Sequence, residues 1–231
     1  MKKLLIPLSV ILLTSCGESS NSESTDTDTT SNDTTAEVVE QEKIIDISLT
    51  KLDEVPSDCK TEGKTVDAYS WKDENGTNYF IRTMSEADMD YPQSDGDEVY
   101  SQYLYAYHFV ENLKGEFSTL REITDFVKEC EFDIIMSHEL DALELTDLDE
   151  DNYGEITFIY RTACTSDVSP STQKLIMLEN GEKYAIRGTT QVMGEGGDFE
   201  MGEEFKTAPE KFTPWAENIW ADHLIEYDFE L

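Results

Sequence analysis

The stretch Val66-Asp67-Ala68-Tyr69-Ser70-Trp71, Lys72-Asp73-Glu74-Asn75-Gly76, Thr77-Asn78-Tyr79-Phe80-Ile81-Arg82 decides the fold class. Two strand-like runs flank an Asn-Gly pair, the strongest short signal for a β-hairpin. The pattern returns downstream. Residues 174–178 and 183–189 enclose Glu179-Asn180-Gly181-Glu182, a second Asn-Gly hairpin. Between the two, residues 100–110 read as one long strand. Tyr103, Tyr105, Tyr107 and Phe109 share one face, and Leu104, Ala106, His108 and Val110 the other. Two largely apolar faces mark a central strand. Residues 155–162 alternate Ile156, Phe158 and Tyr160 with Thr157, Ile159 and Arg161. Residues 117–127 fit a strand or a helix. Residues 86–98 read as an acidic loop, and residues 194–202 as a glycine-rich one. Near the C-terminus Thr213 suits an N-cap and Pro214 the first helical position, with Trp215, Ile219, Trp220 and Leu224 near one face. The expected class is mostly β (α+β), an antiparallel sheet domain with a C-terminal helix.

Working outward, the N-terminal residues carry an address. Lys2 and Lys3 precede an apolar run over residues 4–13, followed by Leu13-Thr14-Ser15-Cys16. The run has signal-peptide length, short of the roughly 20 residues that span a bilayer. Apolar, small, small, cysteine is the lipobox pattern. Residues 1–15 therefore read as a lipoprotein signal peptide, and Cys16 as the lipidated first residue of the mature chain. Residues 17–42 hold 11 Ser/Thr and eight Asp/Glu and lack Lys and Arg. Their few apolar side chains cannot offset chain entropy. Residues 16–42 read as a disordered acidic tether, and residues 43–231 as a single β-rich domain.

The formal net charge is −34. Such a surface repels nucleic acid and anionic lipid, so neither is expected as a partner. Membrane attachment is expected through the lipid alone. Three cysteines remain besides Cys16: Cys59, Cys130 and Cys164. Export to an oxidising compartment favours one disulfide and one free thiol. Spacing does not choose the pair.

One stretch suits metal chemistry: Asp147-Leu148-Asp149-Glu150-Asp151-Asn152-Tyr153-Gly154-Glu155. Oxygen ligands at positions 1, 3 and 5 of a tight loop converge on a hard cation such as calcium. The Tyr153 carbonyl fills the seventh position, and Glu155 closes the site at the ninth. An EF-hand wants Gly at the sixth position and Glu at the twelfth. Asn152 and Phe158 stand there, so this is not one. The alternative is an acidic turn without an ion.

Two further sets are candidate ligand contacts. Tyr103, Tyr105 and Tyr107 can stack on sugar rings or pack into a core. Arg161 and Arg187, scarce cations on strands, can grip an anionic sugar or pair with internal acids. No catalytic residue emerges. His138-Glu139-Leu140-Asp141-Ala142 lacks the second histidine of a zinc-protease helix. A Gly-x-Ser-x-Gly elbow and a phosphate-binding loop are both missing, and Phe199 stands where a dinucleotide loop needs glycine.

Several motifs nevertheless resemble a family of flavobacterial-type lipoproteins labelled surface polysaccharide biosynthesis proteins. They are Leu145-Thr146-Asp147-Leu148-Asp149 with Asp151, Glu155-Ile156, Tyr160-Arg161-Thr162-Ala163-Cys164, Asp167-Val168-Ser169-Pro170 and Tyr184-Ala185-Ile186-Arg187-Gly188. Trp71, Asp125-Phe126 with Cys130, and the aromatic terminal helix fit as well. The resemblance implies an outer-membrane or cell-surface location and offers no catalytic residues. Cys59 departs from the family pattern, which implies a Cys130–Cys164 disulfide. The expected function is that of a non-enzymatic outer-envelope lipoprotein. It serves as a binding or accessory module linked to surface polysaccharide, with a calcium-stabilised loop. A surface glycan or another envelope protein is the expected partner. The rival is a hydrolase or transferase acting on envelope polysaccharide.

Overall fold

The computed structural model describes residues 45–90 and 98–227. The signal-like segment 1–15, Cys16, the tether 16–42 and most of the acidic loop's tip lie outside those residues. Fourteen strands are described: β1 (Asp46–Lys51), β2 (Lys64–Asp73), β3 (Gly76–Met84), β4 (Asp88–Asp90), β5 (Val99–Glu111), β6 (Phe117–Cys130), β7 (Asp133–Thr146), β8 (Glu155–Thr165), β9 (Thr172–Glu179), β10 (Glu182–Thr189), β11 (Gln191–Val192), β12 (Glu195–Gly196), β13 (Phe199–Met201) and β14 (Ile225–Tyr227). A 3₁₀ turn at Glu203–Lys206 and one helix, α1 (Phe212–Asp222), complete them. Among the described residues no helix is long and apolar enough to cross a membrane.

The fold is mostly β. One antiparallel sheet runs β1-β2-β3-β5-β6, with β4 pairing the start of β5. The second runs β13-β10-β9-β8-β7. A third, small sheet joins β12, β11 and β14, and contains the parallel pair β11–β14. The ambiguous segment 117–127 is strand β6. Residues 133–146, given no strand in the sequence reading, form the long strand β7. The acidic loop contains the short strand β4.

The two large sheets pack face to face. Trp71, Phe80, Leu104, Ala106 and Ile123 of the first meet Ile156, Phe158, Tyr160, Ile176 and Ala185 of the second. Each sheet also buries its other face. Ile159, Leu175, Met177 and Ile186 pack under Phe212, Ala216 and Trp220 of α1. Ala68, Ile81, Tyr105, Tyr107 and Phe109 pack under Leu52, Val55 and Cys59, from the segment joining β1 to β2. Burial on both faces explains why β5 and β8 read as near-continuous apolar runs. Buried Arg82 ties the layers: Nε and Nη2 donate to Asp67 at 2.8 and 2.5 Å, and Nη1 donates to the Glu139 carbonyl of β7 at 3.1 Å. A disulfide joins Cys130 of β6 to Cys164 of β8, one from each sheet, and Cys59 is buried and unpaired.

Both Asn-Gly hairpins form, by different turns. Asn180 and Gly181 are the two central residues, with φ of 43° and 83°, the doubly positive pattern of a type I′ turn. In the first hairpin Asp73 pairs with Gly76, so the turn is Glu74-Asn75 and the glycine opens β3. Gly76 is required by crowding: a Cβ there would sit 2.3 Å from the Glu111 carbonyl oxygen. The helix begins one residue before the expected N-cap. Lys211 holds the cap position without a side-chain bond, and Thr213 and Pro214 lie inside the first turn. Fully buried Phe212 draws that turn onto the sheet. Pro214 is tolerated there because first-turn N–H groups have no intrahelical acceptor.

Candidate functional site

The β7–β8 connection builds the site. Positive φ at Glu150 (65°) and Asn152 (67°) coils the loop tightly. Carboxylate oxygens of Asp147, Asp149 and Asp151 then lie within 4.8 Å of one another. A second group, Asp149, Glu155 and Glu179, meets the same limit. Glu150, between them in sequence, turns outward to Lys211 Nζ at 3.2 Å. Fully buried Glu155 is fixed from both sides: it accepts from the Leu148 N–H at 3.0 Å and the Thr146 hydroxyl at 2.8 Å. Asp151 accepts from the Tyr153 N–H at 2.8 Å, which holds Tyr153 at the loop's closing end.

This cluster is electrostatically incomplete. Asp147 Oδ1, Asp149 Oδ1 and Glu179 Oε1 are buried without a hydrogen-bond donor among the described residues. No described Lys or Arg pairs with any of the five acids. Burial, then the charges of Asp149, Glu155, Asp151 and Asp147, push the Glu179 carboxyl up to about 8. Burial and neighbouring Asp151 raise Asp149 as well. Burial raises Glu155 against the opposing pull of its two donors. Like charges crowded in a half-dry site favour protons or a cation. The acidic groups can hold a metal ion.

The opposite sheet braces the loop. Buried Asp73, at the end of β2, accepts from Trp71 Nε1 at 3.0 Å, from the Asn75 N–H at 2.8 Å and from the Gly154 N–H at 3.1 Å. The Glu74 N–H donates to the Asn152 carbonyl at 2.9 Å. Gly154 is packed so closely that a Cβ would lie 2.7 Å from Trp71 Nε1.

Glu179 was invisible to motif reading, because it sits in another strand. The β8–β9 register pairs Ile156 with Leu178, which sets Glu155 across from Glu179. Knowledge of that pairing is the signal that finds it.

The other candidates separate. Tyr105 and Tyr107 are buried, which corrects their reading as a sugar platform. Their rings stack on each other and on Phe109, and the Tyr107 hydroxyl accepts from the Glu62 N–H at 3.1 Å. The physical reason is the 52–63 segment, whose apolar side chains roof that face. Tyr103 is half-buried, stacked on Tyr105 with Lys128 Nζ 5.4 Å from its ring centre. Arg161 is spent internally, which corrects its reading as a ligand contact. It is buried, donates to Gln173 at 2.9 Å and the His223 carbonyl at 2.7 Å, and pairs with Glu139 at 3.3 Å. Arg187 is exposed, on the opposite face of the second sheet.

No protein-family model, curated protein or solved structure matches this chain.

Proposed function

We propose that the chain is a lipid-anchored outer-envelope protein, a non-catalytic binding or accessory module tied to surface polysaccharide, whose 147–155 loop is held by calcium. The observation that carries the calcium element is the set of buried oxygens on Asp147, Asp149 and Glu179 that have no donor among the described residues. All-oxygen ligands in an irregular loop suit a hard cation, and calcium accepts the irregular geometry that magnesium refuses. Asp147, Asp149, Asp151, Glu155, Glu179 and the Tyr153 carbonyl are the proposed ligands. The ion acts structurally, clamping the loop that joins β7 to β8 against the turn of the opposite sheet. Lipidation at Cys16 and the surface-polysaccharide link rest on the lipobox and on the family-like motifs of the sequence.

The rival reading, an envelope-polysaccharide hydrolase or transferase, has Glu179 in its favour. A carboxyl raised to about 8 is suited to general acid work. The same rise follows from burial and the four neighbouring carboxylates, with no catalytic role required.

Three measurements on the full chain test the proposal. Mass spectrometry of the mature N-terminus finds a diacylglyceryl Cys16. Calcium in the range of about 10⁻⁴–10⁻³ M raises the melting temperature. Envelope polysaccharide incubated with the purified protein is retained without shortening or transfer. A mature chain starting elsewhere, a melting temperature indifferent to calcium, or turnover abolished by Glu179→Gln would each overturn the corresponding element.

A further inference from the structure

Away from the acidic loop, a cleft of about 250 Å³ opens between β6 of the first sheet and β8, β9 and β10 of the second. Its cations are out of proportion to the chain. The protein has 51 acidic residues and 17 Lys and Arg, yet Lys174, Lys183 and Arg187 all line this one cavity. Arg121 stands nearby, its guanidinium Nε donating to the Gly181 carbonyl at 2.8 Å. Lys174 is neutralised by an ion pair with Asp125. Lys183 and Arg187 have no ion pair among the described residues. Burial, then Arg187 and the neighbouring cations, lower the Lys183 ammonium from its usual value, with Glu204 opposing. Glu204 itself is engaged by the Ala185 N–H at 2.9 Å. In a chain this acidic, two cations of one strand that line the same cavity without an ion pair among the described residues mark a place for an anion.

The rest of the lining says which anion. Asp125 of β6 faces the same cavity, whereas Glu122 and Thr124 border it along the strand, their side chains on the opposite face with Tyr107 and Tyr105, the residues they pair with. Lys174 already offsets the Asp125 charge, so the lining otherwise offers two cations and the outer backbone edge of β6, the last strand of its sheet. Carbonyl oxygens along such an edge accept hydrogen bonds from hydroxyl groups. One negative charge together with several O–H donors is the chemistry of a sugar acid. The volume lies below the ~300–1,000 Å³ of sites for drug-sized ligands, and suits a single ring.

We propose that this cleft binds the carboxylate-bearing ring of an acidic saccharide, with Arg187 and Lys183 drawing in the carboxylate and the backbone edge of β6 accepting ring hydroxyls. The anion site rests on the cleft alone; the choice of a saccharide deepens, and rests on, the surface-polysaccharide reading. The test titrates the full chain, in calcium, with glucuronate, glucose and inorganic phosphate, followed by amide chemical shifts. Glucuronate binds, moves the amides of Lys183 and Arg187, and outcompetes glucose and phosphate at least tenfold. The variants Arg187→Gln, at an exposed position, and Lys183→Gln, at a half-buried one, keep the parent melting temperature and weaken glucuronate at least tenfold. Lys206→Gln, an exposed cation outside the cleft, leaves it unchanged. Equal binding of glucuronate and glucose, tighter binding of phosphate, or glucuronate binding indifferent to both cleft variants overturns the proposal. Retention of envelope polysaccharide by parent and Arg187→Gln alike overturns this cleft while leaving the polysaccharide reading standing. Glucuronate binding with no retention of envelope polysaccharide does the reverse.

Discussion

Asn75 Nδ2 donates to Asn180 Oδ1 at 3.0 Å, joining two hairpin turns 105 residues apart. One turn belongs to each large sheet, so the contact closes one end of the sandwich. The same end carries the acidic cluster. The first turn holds the 147–154 loop through Asp73 and the Glu74 N–H. The second begins one residue after Glu179. Three chain segments, none adjacent in sequence, thus fix the carboxylates in place.

Asp73 is the member of that assembly with most to lose. It is buried and accepts three donors. Replacement by Ala strands Trp71 Nε1 and two backbone N–H groups, each costing about 1–3 kcal/mol when buried and unmet. Asp73→Ala is expected to lower stability by roughly 3 kcal/mol or more in urea titration. It should also weaken calcium several-fold, since the loop loses its brace. Asn75→Ala, removing one exposed amide bond, is expected to cost about 1 kcal/mol or less. Equal effects of the two would mean that the loop is braced from elsewhere.

Glu179 separates a cation site from a merely acidic turn. Without calcium, Glu179→Gln removes one of five crowded carboxylates and is expected to raise the melting temperature. With calcium the order reverses, because the variant has lost a ligand and the parent gains stability by mass action. Asp149→Ala, shared by both acidic groups, should abolish the calcium response altogether. Parallel curves for parent and Glu179→Gln across calcium concentrations would exclude Glu179 as a ligand.

How much of this was legible depended on how local the cause was. The hairpins at Asn75-Gly76 and Asn180-Gly181 follow from turn chemistry within a few residues. The central place of β5 follows from its two apolar faces. The Asp147, Asp149 and Asp151 grouping follows from spacing in one tight loop. What was hidden was non-local. Strand β7 carries a register irregularity between Glu139 and Glu144, which breaks the alternation by which a strand is read. Glu179 joins the cluster only through strand pairing. The tyrosines of β5 face outward from the sandwich, and nothing in their own spacing shows that residues 52–63 cover them. Arg161 and Arg187 look alike in sequence. Their opposite fates follow from the β8 and β10 faces to which they belong.

The disulfide is expected to contribute through loop closure. Cys130 and Cys164 are 34 residues apart and tie β6 to β8. Chain-entropy reasoning gives roughly 3–4 kcal/mol for a loop of this length. The Cys130→Ser, Cys164→Ser pair should therefore melt on the order of 10 °C lower than the parent. Cys59 behaves differently. Burial, with Asp58 and Glu111, pushes its thiol up to about 11. It should resist alkylation in the folded protein and react once the chain is unfolded. Non-reducing peptide mapping that found Cys59 in a bridge would contradict this arrangement.

Acid sensitivity should arise from two buried histidines. Burial lowers His108 from 6.5 to about 3, and burial with the Arg82 charge lowers His138 from 6.5 to about 4. Both are neutral when folded at pH 7. His108 Nε2 lies 2.9 Å from Asn78 Oδ1, and His138 Nε2 lies 3.2 Å from the Thr83 carbonyl. Because the folded values are depressed, the unfolded chain binds these protons first. Their contribution is full above about 6.5 and is lost as pH falls toward about 4 and then 3, at up to about 1.4 kcal/mol per pH unit per histidine. The raised carboxyls of Asp149, Glu155 and Glu179 act in the opposite sense, stabilising at low pH and losing that effect as pH rises. Comparing the parent with a His108→Gln, His138→Gln variant cancels them. The variant is expected to be less stable at pH 7.5, from lost packing. The gap should narrow steadily between pH 6.5 and 4.5, because only the parent has these protons to gain on unfolding. Urea titrations of both proteins across that range decide the matter. A gap that stays constant would mean that the two imidazoles titrate alike in the folded and unfolded chain.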